Sequence, residues 1–109
     1  MQLIRAGQGP GVPSASATYL ATILTACPPN ARRDLYLIAA EPGAARDSAP
    51  HSPGVVEHVV IGRGCAMVGP AGDPVELGPA DYLSYPGDEP HTFRALDPGT
   101  FAVLVSEHV

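Results

Sequence analysis

Thirteen prolines and twelve glycines interrupt this chain of 109 residues along its whole length. Proline removes a backbone donor and clashes with the preceding helical turn, while glycine makes helix formation entropically costly. No stretch between breakers is long enough for a substantial helix, so the chain is limited to short extended pieces joined by turns. β-Friendly runs fall at residues 2–6, 18–25, 34–40, 55–61, 65–68, 75–77, 81–85, 91–95 and 101–106. Turn signals separate them at Pro28-Pro29-Asn30, Glu41-Pro42-Gly43, Gly69-Pro70-Ala71-Gly72 and Asp97-Pro98-Gly99. Residues 17–24 are ambiguous. Their Ala, Leu and Ile content suits a helix, but Thr18, Tyr19, Thr22 and Ile23 favour a strand, which is the expectation here. Residues 7–16 read as an irregular connection and 44–53 as a loop leading into a central strand. The nearly unbroken apolar run at 101–105 predicts a strand covered on both sides, central in its sheet or at a dimer interface. Regularly punctuated short strands predict an all-β sandwich or barrel.

The length suits one domain, with no apolar run long enough to span a membrane. A chain this small leaves much of its surface exposed, and a homodimer that covers an apolar face is expected. Met1-Gln2-Leu3-Ile4-Arg5 has no charged segment followed by a long apolar one, so no signal peptide is expected and the cytoplasm is the expected location. Cys27 and Cys65 lack CxxC spacing and read as reduced, buried small hydrophobes. The basic residues are all arginine, and the net charge is −5. Nucleic-acid binding needs a basic patch that neutralises phosphates, and Arg32-Arg33 is the only basic pair. Direct contact with DNA or RNA is excluded for this chain.

Candidate chemistry gathers around two of the four histidines, His51, His58, His91 and His108. His51 precedes Glu57 by six residues, and Gly64 follows Glu57 by seven. Gly78-Pro79-Ala80-Asp81 opens a strand that closes at Tyr85-Pro86-Gly87, and Pro90-His91 begins the next. Inward positions alternate along a strand, so Glu57, Val59 and Ile61 share one face and His91, Phe93 and Ala95 another. With His51 on its loop, the three could converge inside a barrel, and a His/Glu/His set suits a first-row metal. There is no nucleophile elbow, phosphate-cradling glycine loop or serine with an evident His/Asp arrangement. Catalysis would rest on the metal alone.

The stretch from His51 through Glu57 to Gly64 resembles the first motif of the cupin superfamily, and the stretch from Gly78 through Pro86 to His91 resembles the second. Further segments are similar to the C-terminal cupin sensor domain of XRE-type helix-turn-helix regulators. They are Pro53-Gly54-Val55-Val56-Glu57-His58-Val59-Val60, the run from Val68 to Pro79, Ile4-Arg5-Ala6-Gly7, Asp34-Leu35-Tyr36 and Glu41-Pro42-Gly43-Ala44. The resemblance implies an antiparallel jelly-roll barrel occupying residues 1–109 as one domain. An N-terminal strand and irregular arm would take about 1–16, and the barrel 17–109. It also implies His51, Glu57 and His91 as ligands of a divalent zinc, iron, manganese or nickel ion. The departures are specific. Metal-binding members carry two histidines one residue apart ahead of the glutamate; the first falls on Ala49, and the gap from His51 to Glu57 is one residue longer. Ala95 stands where many members have asparagine.

Each candidate also has a simpler reading. A lone buried carboxylate is costly, so Glu57 is either paired inside or turned to solvent or a partner. His58 points away from Glu57 and reads as a surface or interface residue. His91 is either a pocket residue or a strand-opening histidine bonded to a carbonyl. Asp81 reads as the residue that satisfies its own turn. Tyr82 and Tyr85 either line a pocket or pack in the core, and His108 is assigned no role. The function implied is binding of a small molecule by His51, Glu57 and His91, with Tyr82, Tyr85 and Phe93 around it, in a sensor domain of, or derived from, a transcriptional regulator. DNA reading would belong to a helix-turn-helix segment that this chain lacks. The alternatives are a metal-dependent isomerase- or dioxygenase-type cupin acting on a small polar substrate, or a dimerisation module with a filled interior.

Overall fold

The structure, a computed structural model, describes Leu3, Arg5 and residues 11–13, 18–25 and 32–108. Ten strands follow one another: β1 Gly11–Pro13, β2 Tyr19–Thr25, β3 Arg33–Ala40, β4 Arg46–Ser48, β5 Val56–Arg63, β6 Ala66–Pro70, β7 Val75–Leu77, β8 Tyr82–Pro86, β9 His91–Ala95 and β10 Thr100–Glu107. No helix occurs among the described residues. The strands form a six-stranded sheet, β1-β2-β3-β10-β5-β8, facing a four-stranded sheet, β4-β9-β6-β7. Every pairing is antiparallel.

Strands β2, β3 and β5 to β10 fall where the breaker pattern predicts them, and residues 17–24 resolve as strand. Two expectations need correction. Residues 7–16 include β1, which pairs with β2, and Pro13 is tolerated there because an edge strand leaves donors on one side unused. Residues 44–53 include β4, three residues paired with β9. Neither strand is long enough to show an alternating pattern. The strand expected at 2–6 lies mostly outside the described residues, and Leu3 and Arg5 are not in a strand. Cys27 also lies outside them. Cys65 is half-buried rather than buried, and its thiol is pushed up chiefly by a hydrogen bond with Asp97.

The turn after β5 explains Gly64. Its φ is +82°, and a Cβ there would overlap the Thr100 hydroxyl and approach Thr100 Cα at 2.9 Å. The turn before β8 closes as expected, with Gly78 N donating to Asp81 Oδ2 at 2.8 Å. Strand β10 lies between β3 and β5. Its inward residues Thr100, Ala102, Leu104 and Ser106 are buried, while Phe101, Val103 and Val105 on the outer face are only half-buried.

Register then layers the interior. Ile38, Ala102 and Ile61 lie side by side across β3, β10 and β5. The next inward row is Tyr36, Leu104, Val59 and Leu83. Beyond it comes a polar row, Asp34, Ser106, Glu57 and Tyr85. Val59, Ile61 and Val68 are fully buried, and each such side chain contributes roughly 1.5–3 kcal/mol. The core therefore fills one end of the sandwich and leaves polar groups at the other.

Candidate ligand and metal site

Glu57 is the centre of that polar end. It is 4 % exposed, inward on β5 between Val56 and His58, which face out. The hydroxyl of Tyr85, its cross-strand neighbour, donates to Glu57 Oε1 at 2.6 Å. His51 Nε2 lies 3.1 Å from Oε2, and His91 Nε2 lies 3.4 Å from Oε1. The loop that carries His51 is fixed by backbone bonds: His51 N donates to Gly87 O at 2.8 Å, and Gly87 N to Val55 O at 2.7 Å. Gly87 permits this approach, since a Cβ there would meet Val55 Cγ1 at 2.9 Å and Glu57 Cγ at 3.1 Å. The glycine of the Tyr-Pro-Gly turn thus seats one histidine against the carboxylate.

His91 satisfies both of its readings. Its Nδ1 lies 2.8 Å from Glu89 O. A carbonyl only accepts, so Nδ1 carries a hydrogen. In a neutral ring Nε2 would then present a lone pair to Glu57 Oε1, an acceptor facing an acceptor in a buried site. A cation between them, a second ring proton or a metal ion, resolves the conflict. Donation of the second ring nitrogen to a backbone carbonyl is also how metal-binding histidines are oriented. The donor atoms of His51, Glu57 and His91 lie within 4.8 Å of one another. The two carboxylate-to-histidine separations match those between neighbouring ligands of an ion bonded at about 2.0–2.2 Å. The group can hold a metal, with its remaining positions open.

The site opens into a cavity of about 230 Å³. Ile38, Phe93, Leu104 and Ala21 give it an apolar side, and Glu57, Tyr85, His51 and His91 a polar one. Burial pushes the Tyr85 and Tyr19 hydroxyls far above the ordinary tyrosine range, with Glu57 adding to the effect. The Tyr36 hydroxyl is raised by burial and by Asp34. Thr92 borders the cavity, and its hydroxyl is buried with no hydrogen-bond partner among the described residues.

Of the residues expected around the site, Tyr85 and Phe93 line it with His51, Glu57 and His91, but Tyr82 does not. Tyr82 is 57 % exposed on the outer face of β8, where its hydroxyl lies 2.7 Å from His58 Nδ1. His58 also meets Glu107 Oε1 at 3.1 Å, so it points away from Glu57 as expected. His108, assigned no role, lines the cavity and pairs with Asp34 Oδ2 at 3.2 Å. Sequence reasoning also misses Tyr19, Asp34, Tyr36, Arg46 and Ser48. Period-two spacing of Asp34, Tyr36 and Ile38 on β3 carried a signal for two of them.

No protein-family model matches the chain, and no curated protein matches it. Solved structures do. A helix-turn-helix (HTH_3) family transcriptional regulator from Vibrio cholerae superposes with a TM-score of 0.79 at 17 % identity, covering 84 % of this chain and 52 % of that one. The chain thus spans about half the length of that regulator. The Cupin_2 domain of an XRE family transcriptional regulator from Enterobacter cloacae gives a TM-score of 0.75 at 27 % identity, covering 84 % of this chain and 97 % of that one. KdgF from Halomonas sp. gives 0.74 at 15 % identity, over 99 % of this chain and 95 % of that one. The chain has the all-β, antiparallel fold of a small cupin and is similar to the cupin domains of XRE regulators.

Proposed function

We propose that this cupin-fold chain is a small-molecule-sensing domain of regulatory type, whose ligand is bound in the cavity by His51, Glu57 and His91. The observation that carries the reading is the division of one cavity into an apolar side and a buried carboxylate held by two histidines and a tyrosine. Such pockets, mostly apolar with a few convergent polar groups, are what ligand sites require. The 27 % identity to a regulator's cupin domain supports the regulatory class. With a net charge of −5, the domain would leave DNA contact to another segment. No helix among the described residues is long and apolar enough to cross a membrane. The expected location is the cytoplasm.

Each side chain has a definable task. Tyr85 holds Glu57 Oε1, the Glu89 carbonyl fixes the ring of His91, and the Gly87 carbonyl fixes the loop of His51. A divalent ion on the three would act as a Lewis acid toward a ligand oxygen. Occupancy would be transmitted by favouring one arrangement of a homodimer. The outer face of the six-stranded sheet suits that partner, since Leu20, Val60 and Tyr82 are exposed there beside half-buried Phe101, Val103 and Val105.

The test is a thermal-shift screen of small metabolites on the wild-type protein, followed by calorimetry with Glu57→Ala and His91→Ala. Ligands that bind the wild type and lose at least tenfold in affinity in both variants support the reading. Ligands that bind all three proteins equally sink the assignment of the cavity. A second reading, a metal-dependent enzyme of isomerase or dioxygenase type, is favoured by the three-donor set with open positions. It requires near-stoichiometric metal after purification without chelators, lost in Glu57→Ala, together with chemical conversion of a bound molecule.

A further inference from the structure

One charged side chain of the cavity lining stands outside its ion pairs. Both of its acids already face a histidine: Glu57 meets His51 and His91, and Asp34 meets His108. Arg46, half-buried on β4, also lines the cavity. Every salt bridge among the described residues belongs to a histidine, so Arg46 has no carboxylate partner there. Its guanidinium lies 5.8 Å from the centroid of the Tyr19 ring, a cation–π contact that holds the fork in place without neutralising it. The Tyr19 ring is itself braced edge-on against Phe93, with centroids 5.5 Å apart.

Resting on the reading of this cavity as a ligand site, we infer that it takes a short organic monocarboxylate and that Arg46 selects it. A partly desolvated guanidinium with no carboxylate partner among the described residues is poised for an anion, and its planar fork matches a carboxylate with two parallel hydrogen bonds. The register of β4 sets the length of the molecule. Arg46 lies opposite Phe93, and Ser48 opposite His91. One two-residue step along a strand is roughly 6–7 Å. A carboxylate on Arg46 therefore places the next few carbons against Phe93. A hydroxyl or carbonyl oxygen at the far end reaches the level of Ser48 and His91. The cavity, about 230 Å³, is below the roughly 300–1,000 Å³ of pockets for drug-sized molecules, so a compact acid fits and a large one does not.

The experiment is calorimetry on the full chain with matched acids and amides: lactate against lactamide, 2-hydroxybutyrate against its amide, and 3-hydroxybutyrate against its amide. The expected result is at least tenfold tighter binding of one or more acids than of the matching amide. Arg46→Gln should remove that preference while leaving the thermal unfolding midpoint and the metal content unchanged, and Arg46→Lys should retain part of it. Equal binding of acid and amide, or an unaltered preference in Arg46→Gln, overturns the inference and leaves the cavity as a ligand site. Binding of amides alone does the same. If no acid binds, the inference fails; neutral hits in the metabolite screen that depend on Glu57 and His91 then show that the ligand-site reading survives it.

Discussion

Glu57 and His58 are neighbours on β5, and each is the centre of a cluster built from histidine, glutamate and tyrosine. Glu57 faces inward to His51, His91 and Tyr85; His58 faces outward to Tyr82 and Glu107. The distances are alike: 2.6 Å for the inner tyrosine contact and 2.7 Å for the outer one, and 3.1 Å for a histidine–carboxylate pair in both. What differs is water. The Glu57 side chain is 6 % exposed and that of Glu107 59 %; the contrast lies in the carboxylates, since His51 at 45 % is no drier than His58 at 30 %. In low dielectric an unmatched charge or lone pair is costly, so the inner cluster is poised for a cation or a ligand. In water the same groups are already satisfied. Chemical composition alone does not make a site; the face of the strand decides.

The largest contrast should come from metal. With zinc as probe at a hundredfold excess over its dissociation constant, the wild type should gain about 2.7 kcal/mol. For a domain of this size that is roughly a 10 °C rise in unfolding midpoint. Glu57→Gln should abolish the rise, and Glu107→Gln should leave it intact. Without metal, Glu57→Gln should be no less stable than the wild type, because its amide oxygen can keep the Tyr85 bond at the Oε1 position while its nitrogen donates to His51 Nε2. Loss of the zinc effect in Glu107→Gln would move the metal to the outer face.

Next in size is a pair of identical changes on β8. Tyr85→Phe removes the donor to a buried carboxylate and should cost about 1–3 kcal/mol in denaturant unfolding. Tyr82→Phe removes an exposed contact and should cost at most about 0.5 kcal/mol. Alkali gives a further test of the inner tyrosine. Tyr19, Tyr36 and Tyr85 are all held neutral above the ordinary tyrosine value. The unfolded chain ionises them near pH 10, so stability is intact below that pH and is lost as the pH rises above it. Tyr85→Phe should make the loss shallower in pH-dependent unfolding. Equal costs for the two variants would remove burial as the difference between the clusters.

The strand map was legible because prolines and glycines mark the turns between short β-friendly runs. Glu57 could be placed inward from Val59 and Ile61 alone, and His91 from Phe93 and Ala95. His51 was placed by its six-residue spacing ahead of Glu57, and the resemblance of the His51–Gly64 and Gly78–His91 stretches to the two cupin motifs gave it the same role. Residues brought in by long-range pairing left no such mark. Arg46 and Ser48 sit on a three-residue strand, too short to show a period, and become visible only through their register with β9. His108 looked idle at a chain end; its partner, Asp34, is far away in sequence and reaches it only because β10 pairs with β3. Tyr82 was misplaced for a related reason. It lies three positions from Tyr85 on one strand, and an odd step puts the two on opposite faces.

The smallest expected effect is also the one that bears on assembly. His58→Ala deletes both outer contacts, yet exposed ion pairs contribute only about 0–1 kcal/mol and are screened by salt. The monomer should lose no more than about 0.5 kcal/mol, less still at high salt, in chemical denaturation at low protein concentration. If a second copy covers this face, however, His58, Tyr82 and Val60 lose their water together, and the outer cluster acquires the environment that the inner one already has. The loss on His58→Ala should then grow with protein concentration and appear in sedimentation velocity as a weaker dimer. A loss that stays small and independent of concentration would place the partner elsewhere and leave the outer cluster an ordinary solvated surface. A large loss in the dilute monomer would break the comparison itself, because burial would no longer separate the two sides of β5.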